Sequence, residues 1–184
     1  WMRHLAAIQL WPPAEQWHEL RCQSLTDIGK YSSRHSYIGV VYADGNAMGQ
    51  IVQAIDRPET FRQFSNMVDE SIRQACFTAL GHVSEREMIA IHQALAAHRP
   101  LLPLAADILL LGGDDLLVAM PADRALNFAL QVTEEFERLT QERMAQMTDT
   151  AARDFFHNHL GERGLTISCG VAIAKSTYPF YLLL

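Results

Sequence analysis

The fold of this chain is decided by one short stretch, residues 106–120, which reads Ala106-Asp-Ile-Leu-Leu-Leu-Gly-Gly-Asp-Asp-Leu-Leu-Val-Ala-Met120. Two apolar runs flank Gly-Gly-Asp-Asp, and a glycine-rich polar turn between two apolar runs is typical of a β-hairpin. Two adjacent acidic residues in so tight a turn repel each other unless a partner compensates their charge. The stretch therefore predicts a hairpin whose tip carries a functional acidic pair.

A second apolar run precedes the hairpin and also ends in an aspartate. It reads Tyr37-Ile-Gly-Val-Val-Tyr-Ala43, and its β-branched and aromatic residues predict a buried strand. Asp44 and Gly45 follow at once, and residues 46–49 lead into a helical stretch. An Asp-Gly pair after a strand is by itself usually only a turn, so its meaning depends on where the strand lies in the fold.

The other segments predict helices and one more strand. Apolar residues at helical spacing predict a helix over about 59–80, a capping-box pattern at 84–87 begins another, and Pro121 opens a third. A polar stretch with a short helix then leads to a last strand over 165–174. The apolar stripe of the 59–80 helix comprises Phe61, Phe64, Val68, Ile72, Ala75 and Ala79, and that of the helix after Pro121 comprises Ala125, Phe128, Ala129, Val132, Phe136 and Leu139.

The resulting order, strand, helices, strand, strand, helix, strand, predicts an α+β fold of the ferredoxin-like βαββαβ type. Its sheet is expected to be antiparallel with helices on one face. We predict that residues 1–36, with a short helix over 14–25, are a lead-in or the remnant of a preceding domain. Residues 37–184 are then one domain, cut at its C-terminal end inside an element that continues.

This topology gives the acidic residues a common location. The first and third strands normally lie adjacent at the centre of such a sheet, so Asp44 is expected to meet Asp114 and Asp115 at the hairpin tip. Crowded carboxylates are stabilised by a hard cation, and Mg²⁺ suits carboxylates together with substrate phosphates, with Mn²⁺ as the alternative. The predicted metal ligands are Asp44, Asp114, Asp115 and a backbone carbonyl, that of Gly45 or Ala43. Two such ions would stabilise the attacking and leaving oxygens of phosphoryl transfer.

Glycines flank these carboxylates and allow a ligand to approach the backbone. The loop over residues 45–49 begins a helix, where free N–H groups favour phosphate. Lys175, just past the last strand, is either a partner for a triphosphate or an exposed lysine at a strand end. The nucleotide-binding residues predicted on these grounds are Gly45, Asn46, Ala47, Met48, Gly49, Gly112, Gly113 and Lys175.

Composition narrows the function classes. The 184 residues carry a net charge of -6, which argues against a broad nucleic-acid surface but leaves a metal-assisted nucleotide substrate open. The three cysteines are far apart and have no metal-ligand spacing, which favours a reducing, cytoplasmic setting. No apolar run reaches the length of a membrane span, so no membrane partner is expected.

Four ordered motifs resemble the large polymerase-like subunit of type III CRISPR effector complexes. Residues 37–49 are similar to the first palm motif of that subunit, and residues 108–117 are similar to its GGDD motif. Residues 121–136 resemble the helix that follows, and residues 165–179 resemble the closing strand with its lysine-containing motif. The palm of that family is related to GGDEF-type cyclases and to adenylyl cyclases.

The resemblance implies that ATP is converted into cyclic oligoadenylate in antiviral defence, in response to target RNA. It implies that Asp44, Asp114 and Asp115 are metal ligands, that Lys175 and the 45–49 loop contact the triphosphate, and that Ser168 lies near the nucleotide. In the full-length protein it further implies other effector subunits, guide RNA and target RNA as partners. Pairing of two palms, or a homodimer, would complete the nucleotide pocket.

Two other functions remain open on the sequence. A GGDEF-type diguanylate cyclase or a stand-alone minimal cyclase shares the fold and the metal site. The hairpin here, however, reads Asp115-Leu116 where the GGDEF type has Glu-Phe. A structural palm in an RNA-guided complex would bind its neighbours without turnover. Competition between GTP and ATP distinguishes a diguanylate cyclase from the predicted enzyme that uses ATP. Tight nucleotide binding without product indicates a structural palm.

Overall fold

The computed structural model describes residues 22–101, 103–161 and 163–184. The short helix predicted over 14–25 lies largely outside the described residues. The helices are α1 (Leu25–Lys30), α2 (Met48–Ala54), α3 (Pro58–Val83), α4 (Glu85–Ala96), α5 (Ala122–Ala145) and α6 (Thr150–Leu160). The strands are β1 (Tyr37–Gly45), β2 (Asp107–Gly112), β3 (Asp115–Pro121) and β4 (Ile167–Lys175), and a 3₁₀ turn covers Phe180–Leu182.

The four strands form one sheet in the order β2-β3-β1-β4, and each neighbouring pair is antiparallel. This arrangement confirms the predicted ferredoxin-like α+β fold. The two central strands are β1 and β3, and the last recorded pair of their register is Ala43 with Leu116. The residues that follow Ala43 and precede Leu116 therefore lie at the same end of the sheet.

The main core lies between one sheet face and the two longest described helices, α3 and α5. Alternate residues of β1, Val41 and Ala43, point into this core. Both predicted apolar stripes are buried except for Phe61, which is 47% exposed. The reason is the helical period, because the residue one turn before Phe64 on its inward face is Thr60, which is buried instead. Across the described residues, no helix combines the length and apolar character that a bilayer crossing requires.

The opposite sheet face is covered at one end only. A second apolar cluster there comprises Cys22, Ile28, Ile38, Val40 and Ala119, with side chains around α1 and the 3₁₀ turn packed against it. The prediction that helices lie on one face is therefore wrong at this end, because a six-residue helix is too short to show a period in the sequence.

The other half of this face carries Tyr42, Asp44, Leu110, Asp115 and Ser168, and we call it the open face. Tyr42 and Leu110 are 42% and 45% exposed there. Large apolar side chains left this accessible on a sheet face are available to a ligand or a partner.

The predicted capping box at residues 84–87 marks the start of α4 correctly, but the cap itself is not formed. The Ser84 side chain makes no capping hydrogen bond. Its φ and ψ of -118° and 27° are not the extended values that a capping serine needs. The cause is that Ser84 also ends α3, where its N–H donates to the carbonyl of Leu80.

Burial of Cys76 leads to a first testable expectation. Burial raises the pKa of the Cys76 thiol to about 12. Because the thiolate is the reactive form, we expect a thiol reagent at neutral to mildly alkaline pH to modify Cys76 about 10³-fold more slowly in the folded than in the unfolded protein. Labelling followed by mass spectrometry, with and without denaturant, measures the ratio. Equal labelling rates in the two conditions would contradict the buried position of this residue.

Candidate functional site

The tip of the β2–β3 hairpin is a two-residue turn. Gly112 pairs with Asp115, so Gly113 and Asp114 form the turn between them. Gly113 has a φ of 61°, at the first central position where type II′ turns place glycine. Its N–H donates a hydrogen bond of 3.4 Å to Oδ1 of Asp69 on α3. Helix α3 therefore supports the turn that presents the acidic pair.

Two of the predicted carboxylates lie on the open face. Asp44 pairs with Ser168 across β4, and it is exposed. Asp44 and Asp115 are the next residues beyond the last recorded β1–β3 pair, and residues facing each other across antiparallel strands have Cβ atoms about 4.5–5.5 Å apart. On the same face, Oη of Tyr42 donates a hydrogen bond of 2.7 Å to Oδ1 of Asp115.

The third carboxylate approaches from the other side of the sheet. A Cβ added to Gly45 would lie 2.6 Å from Oδ2 of Asp114 and 2.5 Å from Cγ of Met48. Met48 is buried in the core under α3 and α5, so Asp114 reaches the end of β1 from the helix side. Glycine at position 45 leaves the space that this approach needs. The structure thus brings Asp44, Gly45, Asp114 and Asp115 to one end of the two central strands.

The electrostatics of this end are dominated by negative charge. The pKa of the Tyr42 phenol is raised to about 12, first by its hydrogen bond to Asp115, then by desolvation, and then by the charges of Asp115, Asp44 and Asp114. All three carboxylates therefore act on a single hydroxyl group. The phenol remains a protonated hydrogen-bond donor at neutral pH.

The donor set fits a divalent cation that is only partly held by protein side chains. Within the described ranges, no three His, Cys, Asp or Glu side chains are arranged to hold a metal ion together. The three aspartates do not form such a group because Asp44 and Asp115 lie on the open face, whereas Asp114 approaches from the helix side of the sheet. Mg²⁺ usually takes one or two carboxylates and completes its shell with water and phosphate oxygens. Asp44, Asp115 and the Gly45 carbonyl have that chemistry for Mg²⁺ or Mn²⁺.

The loop after β1 is fastened to the start of β4. The backbone N–H of Asn46 donates to the carbonyl of Thr166 at 2.9 Å, and its Nδ2 donates to Oγ1 of Thr166 at 3.0 Å. Ser168 Oγ donates to Oδ1 of Asn46 at 2.7 Å. The predicted nucleotide residues Asn46 and Ser168 are therefore neighbours beside Asp44, and the second N–H of the Asn46 amide and the lone pairs of the Ser168 hydroxyl are left for a ligand.

The other predicted nucleotide-binding residues differ in how far a ligand can reach them. Ala47 has a left-handed φ of 59° and precedes α2. The Met48 side chain is buried in the core, so only its backbone can contact a nucleotide. Space is open beside Gly49 and Gly112, where an added Cβ meets no other atom. The protein itself imposes no need for glycine at these two positions.

Lys175 is not brought to the carboxylates. Strand β4 runs antiparallel to β1, so Lys175 pairs with Tyr37 at the start of β1 while Ser168 pairs with Asp44 near its end. Seven residues separate the two β4 positions, which corresponds to about 23 Å along a strand. The geometry does not support the predicted contact between Lys175 and a triphosphate held at Asp44.

Two side-chain contacts of this site were missed by the sequence reasoning. Tyr42 has a sequence signal, since period-two alternation puts it on the same face as Asp44. Asp69 has no such sequence signal, because its contact with Gly113 depends on how α3 packs against the hairpin. Asp69 also pairs with Arg73 at 2.9 Å, and that hydrogen bond is the main cause that lowers the pKa of its carboxyl group.

Comparisons with known proteins agree with this fold. The family described as "Cas10/Cmr2, second palm domain" matches residues 37–184. Among solved structures, the chain is similar to Csm1 in T. onnurineus, with 14% sequence identity, 89% of this chain covered and a TM-score of 0.56. The chain spans 21% of the length of that protein, and at this identity the similarity shows the fold alone. No curated protein matches the sequence.

Proposed function

Because this chain belongs to the Cas10/Cmr2 second palm domain family, we propose that it is a nucleotidyl-transferring palm of a type III CRISPR effector subunit. The proposed reaction converts ATP into cyclic oligoadenylate in antiviral defence. The observation that carries the proposal is the position of Asp44 and Asp115 on the open face, with Asp114 behind them at the same end of β1 and β3. This is an acidic site beside an uncovered apolar surface.

The charge of the site requires a cation before a nucleotide can bind. A triphosphate and three aspartates repel one another, and an oxygen-ligated divalent ion bound between them offsets part of this repulsion. In the proposal, Asp44, Asp115 and the Gly45 carbonyl hold Mg²⁺ or Mn²⁺. When bound, such an ion supplies charge stabilisation to phosphoryl transfer. The role of the chain is to fix these oxygens at the ends of two rigid central strands.

In the proposed reaction, the 3′-oxygen of one ATP forms a bond to the α-phosphorus of another. The bond from that phosphorus to the bridging oxygen breaks, pyrophosphate leaves with the electron pair, and the hydroxyl proton is released. Tyr42 and Leu110 offer exposed apolar surface for the nucleoside beside the carboxylates. Asn46 and Ser168 border the same surface with unused hydrogen-bonding capacity.

The open face also bears on the partners that we propose. One palm leaves this face uncovered, so a second palm or a second copy of the chain is needed to enclose a nucleotide on it. With a net charge of -6, this chain is poorly suited to hold RNA over a broad surface. We therefore assign guide and target RNA contacts to other parts of the effector complex.

The test is product formation by the full-length protein with its effector partners, target RNA, ATP and Mg²⁺. We expect cyclic oligoadenylate from the wild type and at least a 10²-fold loss when Asp114→Ala and Asp115→Ala are combined. The matched control is Asp154→Ala, which removes an exposed carboxylate of α6. Product that survives the double substitution overturns the proposal. Product formed from GTP in preference to ATP indicates a diguanylate cyclase, and nucleotide binding without product indicates a structural palm.

A further inference from the structure

Among the described residues, Tyr42 is the side chain that hydrogen-bonds to one of the two carboxylates, Asp44 and Asp115, that we assign to the cation. It lies two residues before Asp44 on the same face of β1, and its hydroxyl group donates a hydrogen bond to Asp115 on β3. Its single hydroxyl therefore connects the two strands whose carboxylates we assign to the cation. The phenol takes no part in the proposed function as stated above.

The hydrogen bond determines how Asp115 is presented. A carboxylate has two oxygens, and Oδ1 of Asp115 is occupied by the phenol at 2.7 Å. This leaves Oδ2 as the oxygen without that donor and fixes the rotation of the group. Carboxylates that ligate metals are commonly held by such hydrogen bonds, and losing the donor typically weakens metal binding about 10–100-fold.

The surroundings of Tyr42 favour this role over a purely structural one. The residue is 42% exposed, so its hydroxyl could bond to water equally well if Asp115 were absent. The bond nevertheless joins it to the carboxylate that lies opposite Asp44.

We propose that Tyr42 is a positioning residue that holds Asp115 through one oxygen so that the other ligates the divalent cation. The inference rests on the proposed function, because it assumes the metal site at Asp44 and Asp115. It adds a residue that none of the sequence motifs singled out as functional. It also predicts that Asp115 binds the cation through one of its two carboxylate oxygens.

Binding of Mn²⁺ to the full-length protein, followed by the loss of the free-ion electron paramagnetic resonance signal, tests the inference without relying on turnover. Tyr42→Phe keeps the ring and removes the donor, and we expect its Kd for Mn²⁺ to rise about 10-fold or more. Tyr181→Phe is the matched control, since it removes a phenol hydroxyl from a residue that is 76% exposed in the 3₁₀ turn. Its Kd is expected to equal that of the wild type.

The outcomes separate this inference from the proposed function. A wild type that binds no Mn²⁺ refutes the metal site itself. Binding by the wild type together with an unchanged Kd for Tyr42→Phe overturns the positioning role and leaves the proposed function standing.

A second readout covers the case in which Tyr42→Phe also lowers the melting temperature. The rate of product formation is measured against Mg²⁺ concentration. A positioning role predicts that half-maximal activation shifts to about 10-fold more Mg²⁺ and that the rate recovers at saturation. A loss of rate that is equal at every Mg²⁺ concentration overturns the inference.

Discussion

An Asp44→Asn variant of the full-length protein is expected to form product about 10²–10³-fold more slowly than the wild type while folding equally well. Asp44 is exposed at the end of β1, and its charge is one of the three that act on the Tyr42 phenol. The asparagine amide keeps the shape of the side chain but removes the charge that a hard cation requires. The rate is measured with ATP and saturating Mg²⁺.

The free energy of unfolding of the same variant is not expected to fall together with its activity. Without a cation, three carboxylates at one strand end repel each other, so neutralising one of them relieves repulsion in the folded state. Chemical denaturation in the absence of divalent ions is expected to give a free energy of unfolding equal to or slightly above that of the wild type. A folding defect cannot produce a large loss of activity together with unchanged or increased stability.

The matched control for this prediction is Asp154→Asn. Asp154 is exposed on α6, on the helix side of the sheet, and it undergoes the same chemical change. This variant is expected to retain the wild-type rate. If Asp44→Asn itself keeps most of the wild-type rate, Asp44 is not a ligand, and the proposed function loses the placement that carries it.

The ferredoxin-like order could be predicted because each strand carries its own local signal. The runs over 37–43 and 116–120 are apolar and bounded by turn residues, and both form strands. The observed strands extend one or two residues further because pairing with a neighbour, rather than local propensity, decides where a strand ends. Asp44 and Gly45 belong to β1 because they pair with Ser168 and Ile167.

For the candidate site, the sequence predicts only that the acidic residues meet at one end of the central strands. Topology alone brings Asp44 next to Asp115. The side from which Asp114 approaches depends on the backbone conformation at Gly113 and on the packing of Met48, and neither follows from residue type. The Tyr42–Asp115 hydrogen bond likewise depends on the register of β1 against β3.

The placement of Lys175 is instructive because the predicted topology already argued against it. In an antiparallel pair, the residue that ends one strand lies opposite the residue that begins the other. Lys175 ends β4 and therefore faces Tyr37, far from Asp44. Its assignment to the triphosphate came from the resemblance and from its position in the sequence, and neither takes the direction of the strand into account.

The second large effect concerns the fold that holds the site. Gly39→Ala is expected to lower the free energy of unfolding by about 2–3 kcal/mol, because overpacking a core costs that order of energy. Gly39 lies in β1 where α5 crosses it, and an added Cβ would overlap the Cβ of Ala125. Both partners belong to central elements that cannot separate without opening the core. Urea denaturation of each variant measures the change.

Two further variants decide whether this contact is the cause. Gly170→Ala makes the same change on β4, where an added Cβ meets no other atom, and it is expected to leave stability unchanged or slightly raised. Adding Ala125→Gly to Gly39→Ala removes the methyl group that overlaps. Because glycine inside a helix costs about 1 kcal/mol, the double variant is expected to be less stable than the wild type but more stable than the two separate losses predict. Strict additivity of the two substitutions would show that the strand and helix are free to move apart, and that β1 is not held against α5 at this point.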